Sequence, residues 1–167
     1  MDPLIILVIV IFVILIVGLI IWAIIQASRR HNLNTIPFSS LLNGQSEVPP
    51  NSSTATGLGK YLLNQERTTF TYDVTFTGLA SPFLSAHFHQ GAVGVSGPIV
   101  RTLTSSFTPS NVTRTAGRLV GTWSVSDSES LTPERVNQLE NGQIYINVHS
   151  QNLPDGEIRG QVNKLLK

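Results

Sequence analysis

From Leu4 to Ile25 the chain carries no charged residue and is almost entirely Ile, Leu and Val. At a helical rise of about 1.5 Å per residue, that run spans roughly 33 Å, the thickness of a bilayer core. A cleaved signal peptide is the competing explanation, but it needs a basic start and a shorter apolar core of about 7–15 residues. Here the start is Met1-Asp2-Pro3, without Lys or Arg, and only Ala23 and Ala27 offer small residues near a cleavage point. Trp22 and the polar stretch from Gln26 to Arg30 suit a membrane interface. Residues 1–30 are therefore expected to be a retained single-pass anchor, touching lipid through residues 4–25. The side of the membrane stays open. Arg29 and Arg30 place the remainder in the cytoplasm by the positive-inside rule. The sequons Asn51-Ser52-Ser53 and Asn111-Val112-Thr113 argue the other way.

Beyond the anchor the chain has room for one domain of about 130 residues. The sequence predicts residues 31–37 as a short polar linker containing His31, then a domain over 38–164. Arg29, Arg30 and Asp2 apart, bases and acids balance, so no basic field exists for nucleic acid. Cysteine is absent, which excludes disulfides, thiol catalysis and cysteine-ligated metal.

Within the domain the hydrophobic period is two. Phe70, Tyr72, Val74 and Phe76 alternate with Thr and Asp, the pattern of a half-buried strand. The same alternation marks Leu84–His89, Leu119–Val125, Ile144–His149 and, more weakly, Glu157–Val162. Further strands are expected at Phe38–Leu42, Gly57–Leu63 and Ile99–Leu103. Ser81-Pro82, Gly97-Pro98 and Pro154-Asp155-Gly156 supply turn chemistry, and Gly91–Pro98 reads as a wide loop. One short helix is expected, capped by Thr132, started by Pro133 and stopped by Asn141-Gly142. The fold class is all-β. The expected architecture is an antiparallel Greek-key β-sandwich or barrel, immunoglobulin-like or superoxide-dismutase-like, behind one N-terminal transmembrane helix.

The histidines are the sharpest chemical signal. His87 and His89 share a strand face opposite Leu84, Ala86 and Phe88, and His149 sits on the face with Tyr145 and Asn147. All three point away from the apolar side. Were the two strands neighbours, the imidazoles would converge as a copper or zinc site. The rival reading makes them hydrogen-bonding struts. Carboxylates are few, and no pair resembles a hydrolase dyad. Glu47, before the rigid Val48-Pro49-Pro50, reads as a clamp on a neighbouring backbone. Glu157 and Arg159 read as an ion pair on one strand face. Gly156 is expected to need a positive φ in a turn that joins the last two strands.

Three stretches carry a resemblance. Asn43–Pro50 with Ser53, Ala55 and Gly57 resembles the opening of the CHRD domain first described in chordin. Ala86-His87-Phe88-His89-Gln90-Gly91 with Gly97-Pro98-Ile99-Val100 resembles its central motif. Leu139–His149 and Asn152–Gln161 resemble its closing motif. The likeness covers roughly Phe38 to Val162. It implies an extracytoplasmic, non-enzymatic binding or structural module with protein partners. It does not imply growth-factor antagonism, because the cysteine-rich modules associated with that role in chordin are missing. The pair His87-Phe88-His89 and Val148-His149 is also similar to the metal strands of copper/zinc superoxide dismutase, without a recognisable metal loop between them. Three readings result: a membrane-anchored CHRD-like module, a three-histidine copper or zinc metalloprotein, or an anchored component of a viral or envelope assembly.

Overall fold

The computed structural model describes residues 2–33 and 35–165. The chain divides into two compact units, Met1–Thr35 and Ile36–Lys167. Helix α1, Pro3–Leu33, makes the first. Asp2 Oδ1 accepts from the Leu4 N–H at 2.9 Å, and Pro3, having no N–H, leaves no orphan donor at the first helical position. Its segment Pro3–Gln26 is long and apolar enough to cross a membrane, and none of it is buried. Of the expected linker 31–37, residues 31–33 belong to α1, which ends at Leu33, and residues 35–37 to the first strand, which begins at Thr35. Asn34, within that expected linker, and the side chain of His31 lie outside what is described.

The second unit contains β1 (Thr35–Asn43), β2 (Thr56–Asn64), β3 (Thr69–Thr77), β4 (Phe83–Gln90) and β5 (Ile99–Thr102). It continues with β6 (Phe107–Pro109), β7 (Gly117–Ser124), α2 (Pro133–Glu140), β8 (Ile144–Ser150), β9 (Leu153–Gln161) and β10 (Asn163–Lys164). One continuous sheet runs β5-β4-β8-β9-β1-β2-β3-β7-β6, with β10 added beside β1. Every pair whose register is defined is antiparallel. The sheet curls into a half-barrel, so its two halves face each other across an apolar core.

The period-two pattern explains that core. On β3, Phe70, Tyr72, Val74 and Phe76 are buried while their neighbours are not. Phe88 of β4 reaches across to Tyr61 (5.9 Å), Phe70 (6.0 Å), Tyr72 (5.8 Å) and Trp123 (5.8 Å), measured between ring centroids. Such aromatic pairs add about 0.5–1.5 kcal/mol each beyond their area. Buried polar tips find partners: Tyr61 Oη and Ser40 Oγ are 2.6 Å apart, and Trp123 Nε1 donates to the Glu129 carbonyl at 2.6 Å. Helix α2 forms where its caps predict, with the Thr132 side chain accepting from the Arg135 N–H.

Two expectations are corrected. Leu84 is not a core residue: it is 45% exposed, whereas Phe83 is 5% exposed. A bulge lies between Phe83, opposite Ser150, and Ser85, opposite His149, so Leu84 is the extra residue and turns outward. Likewise, Pro154-Asp155-Gly156 is not the turn between the last long strands. The turn is Gln151-Asn152, held by Gln151 N–H on the Pro82 carbonyl and Asn152 N–H on Ser81 Oγ. Ser150 then faces Leu153 and Val148 faces Ile158, so residues 154–157 all stand opposite His149. Pro154 has no N–H to give the ladder and Gly156 adopts φ +137°, which together make this stretch a wide bulge.

Candidate functional site

β4 and β8 are neighbours, the condition on which a histidine cluster depends. His87 lies opposite Asn147, His89 opposite Tyr145 and His149 opposite Ser85. One ligand nitrogen from each of His87, His89 and His149 lies within 4.8 Å of the others.

The surrounding bonds define which nitrogens carry protons. His149 Nδ1 is 2.9 Å from the Pro154 carbonyl and His89 Nδ1 is 2.9 Å from the Gly97 carbonyl. A carbonyl only accepts, so both Nδ1 atoms are N–H donors and both Nε2 atoms present lone pairs. His89 Nε2 is buried without a partner. His149 Nε2 accepts from His87 Nδ1 at 3.2 Å. The bulge at 154–157 thus has a consequence for chemistry: it delivers the carbonyl that sets the His149 tautomer.

Burial keeps the rings neutral. Desolvation pushes His87 down to about 4, helped by His149 and His89 and opposed by Glu129. Desolvation also lowers His89 and His149, against the hydrogen bonds to Gly97 and Pro154 respectively. Three uncharged imidazoles therefore face one another at neutral pH.

The histidine face is partly covered, with His87 and His89 half-buried and His149 buried. Every residue of β8 is buried, on both faces. Two loops roof the polar side. The 91–97 loop is held by Arg159 Nη2, which donates to the carbonyls of Ala92 (3.0 Å) and Val95 (2.9 Å), and by Gly97 N–H on Tyr145 Oη. The Arg159 guanidinium also lies 3.5 Å above the Tyr145 ring centroid. The loop after β1 is held by Glu47, whose Oε2 accepts from Asn147 Nδ2 at 3.2 Å. Glu47 accordingly clamps a side chain rather than a backbone. Desolvation raises its carboxyl to about 7, opposed by the Asn147 bond and by Arg159.

Glu157 and Arg159 do not pair with each other. Glu157 Oε1 accepts from Ser53 Oγ and from the Ala80 N–H, both at 2.7 Å. Because Glu157 belongs to the bulge, it leaves the strand face that a regular β-strand would share with Arg159. Asn51 was legible only as a sequon residue. Its Nδ2 donates to the carbonyls of Gly156 (3.3 Å) and Glu157 (3.1 Å), and its Oδ1 accepts from Ser53 N–H, so it stitches the loop to the bulge. An Asn two residues before Ser is the local signal for such a turn.

Fold and site describe a β-rich module: a half-barrel that carries a partly buried histidine cluster on its polar face, flanked by two loops. The sequence model of the CHRD domain matches residues 38–162, and the chain belongs to the CHRD domain family. That family is one of non-enzymatic modules. A comparison with curated proteins finds no match.

Proposed function

We propose that the chain is a single-pass membrane protein that presents its CHRD module, over 38–164, as a non-catalytic binding element. The observation that carries this is the union of the CHRD match with an uninterrupted apolar helix ahead of it. Residues 4–25 anchor the module in lipid, and the mature chain keeps Met1 or Asp2. Carbonate extraction followed by N-terminal sequencing tests this. A carbonate-resistant membrane fraction beginning at residue 1 or 2 is expected, and a mature start after residue 27 overturns it.

The histidine geometry favours a second property, the binding of one zinc or copper ion by His87, His89 and His149. The supporting observation is that two of the three imidazoles give their Nδ1 protons to backbone carbonyls, which aims bare Nε2 atoms inward. The 3.2 Å between His87 Nδ1 and His149 Nε2 is close to the roughly 3.3 Å separating two nitrogens on a tetrahedral zinc with Zn–N bonds of about 2.0–2.1 Å. For His87 Nδ1 to ligate, its proton would move to Nε2 of the same ring, leaving a lone pair on Nδ1, and a fourth position would remain for water or a partner's ligand. Titration calorimetry with zinc and with copper on the full chain in nanodiscs tests it. One ion per chain at neutral pH is expected, weakened about 100-fold in His89→Ala. The absence of stoichiometric binding leaves the histidines as struts.

A further inference from the structure

We propose that Asn111 accepts one N-linked oligosaccharide and that Asn51, in the other Asn-x-Ser/Thr triplet, does not, which puts the β-rich module on the lumenal or extracellular side of the membrane. The triplet Asn111-Val112-Thr113 stands in the loop that joins β6 to β7. Residues 108–114 are all exposed, and Val112, at the middle of the triplet, is 100% exposed. The loop has a defined frame. Ser110 N–H donates to the Ala116 carbonyl at 2.9 Å and Arg114 N–H to the Asn111 carbonyl at 3.2 Å. Thr115 N–H donates to Asn111 Oδ1 at 3.0 Å, which fixes the acceptor side chain by its oxygen.

The amide hydrogens separate the two triplets. A side-chain amide has two N–H bonds, and glycosylation uses one of them. In the transfer, Asn111 Nδ2 forms a bond to C1 of an oligosaccharide carried on a polyprenyl diphosphate. The C1–O bond breaks, the diphosphate leaves with the electron pair, and the amide gives up one proton. One N–H remains. Asn111 Nδ2 donates once among the described residues, to Thr115 Oγ1 at 3.0 Å, so the loop needs one hydrogen and can give up the other. Asn51 is half-buried, and its Nδ2 donates to two carbonyls, those of Gly156 and Glu157. Ser53, the third residue of that triplet, gives its hydroxyl proton to the fully buried Glu157 at 2.7 Å. A sugar on Asn51 would remove a hydrogen that the fold uses and wedge a bulky polar group between the loop after β1 and the bulge of β9. The folded module therefore accepts an oligosaccharide at one triplet and excludes it at the other.

This assignment adds a side to the single-pass reading and rests on it. It opposes the positive-inside expectation drawn from Arg29 and Arg30. Expression of the full chain in cultured animal cells, which supply the lipid-linked donor and its transferase, provides the test. The readouts are the mobility shift on enzymatic deglycosylation and peptide mass spectrometry of the acid that this treatment leaves. One glycan per chain is expected, at position 111. It should be lost in Thr113→Ala, which keeps Asn111 and its bonds to Thr115, and regained in Thr113→Ser. An acceptor triplet appended after Lys167 reports the side of the membrane independently. If that tag is modified while Asn111 stays bare, the loop is no acceptor. If both stay bare, the module lies in the cytoplasm. Either result overturns the assignment, as does a shift that persists in Thr113→Ala or a glycan on Asn51 of the folded chain. Carbonate extraction of the same membranes tests the anchor separately, so a bare Asn111 on a carbonate-resistant chain leaves the single-pass reading standing.

Discussion

Replacing Gly156 with alanine should combine backbone strain with side-chain crowding, and the structure indicates how costly the sum is. Gly156 has φ +137°, and a Cβ there would lie 2.7 Å from Asn147 Nδ2 and 2.9 Å from each Glu47 carboxylate oxygen. The backbone strain is worth about 1–3 kcal/mol. Prying apart the Asn147–Glu47 hydrogen bond adds about 1 kcal/mol. The sum, about 2–4 kcal/mol, corresponds to a fall in Tm of about 8–15 °C for a domain of this size. Gly94→Ala is the control, because Gly94 has φ +76° but nothing within 4 Å of its would-be Cβ. It should cost only about 1 kcal/mol of strain. Differential scanning calorimetry of both variants in nanodiscs separates the two contributions. If Gly156→Ala melts within a degree or two of Gly94→Ala, the crowding of Glu47 and Asn147 against the bulge is refuted.

Two further outcomes are expected. Glu47, raised to about 7 from 4.5 by burial, holds its proton more tightly folded than unfolded. The stability it confers is therefore complete below about pH 4.5 and is lost as pH rises through 7. The histidines titrate in the opposite sense below about 6.5, so the difference between wild type and Glu47→Gln isolates the carboxyl. That difference should grow by about 1–2 kcal/mol in favour of the variant between pH 5 and 8, a value reduced for the water its cavity admits, and a flat difference curve contradicts it. At the β4 bulge, Phe83→Ala should destabilise by about 3–5 kcal/mol while Leu84→Ser changes stability by less than about 0.5 kcal/mol, and chemical denaturation giving the reverse order removes the bulge from the account.

Legibility in the sequence followed the locality of the cause. The apolar run at Leu4–Ile25, the alternation in Phe70–Phe76 and the caps of α2 each depend on neighbours a few residues apart. The CHRD likeness, carried by short motifs, was readable for the same reason and extends over the 38–162 match. The period of two also placed His87, His89 and His149 away from the apolar side. Their meeting depended on β4 pairing with β8, a contact between residues about sixty positions apart.

Where the sequence misled, a distant partner had shifted a local pattern by one residue or a few. Leu84 has the periodicity of a core residue, but the pairing of Phe83 with Ser150 and Ser85 with His149 expels it. Pro154-Asp155-Gly156 has the composition of a turn. The loop around Ser81 and Pro82 instead holds the turn at Gln151-Asn152. Glu157 and Arg159 have the spacing of an ion pair, and the bulge separates them. Composition and periodicity determined what each segment is and which face it buries. Only tertiary structure decided that the polar face of β8 is covered, that Glu47 and Arg159 line one cavity, and that the Gly97 and Pro154 carbonyls set the tautomers of two histidines. The first two arise from contacts between segments far apart in the chain, and the tautomers from the bulge and loop conformations that bring those carbonyls back onto the rings, a geometry no local propensity encodes.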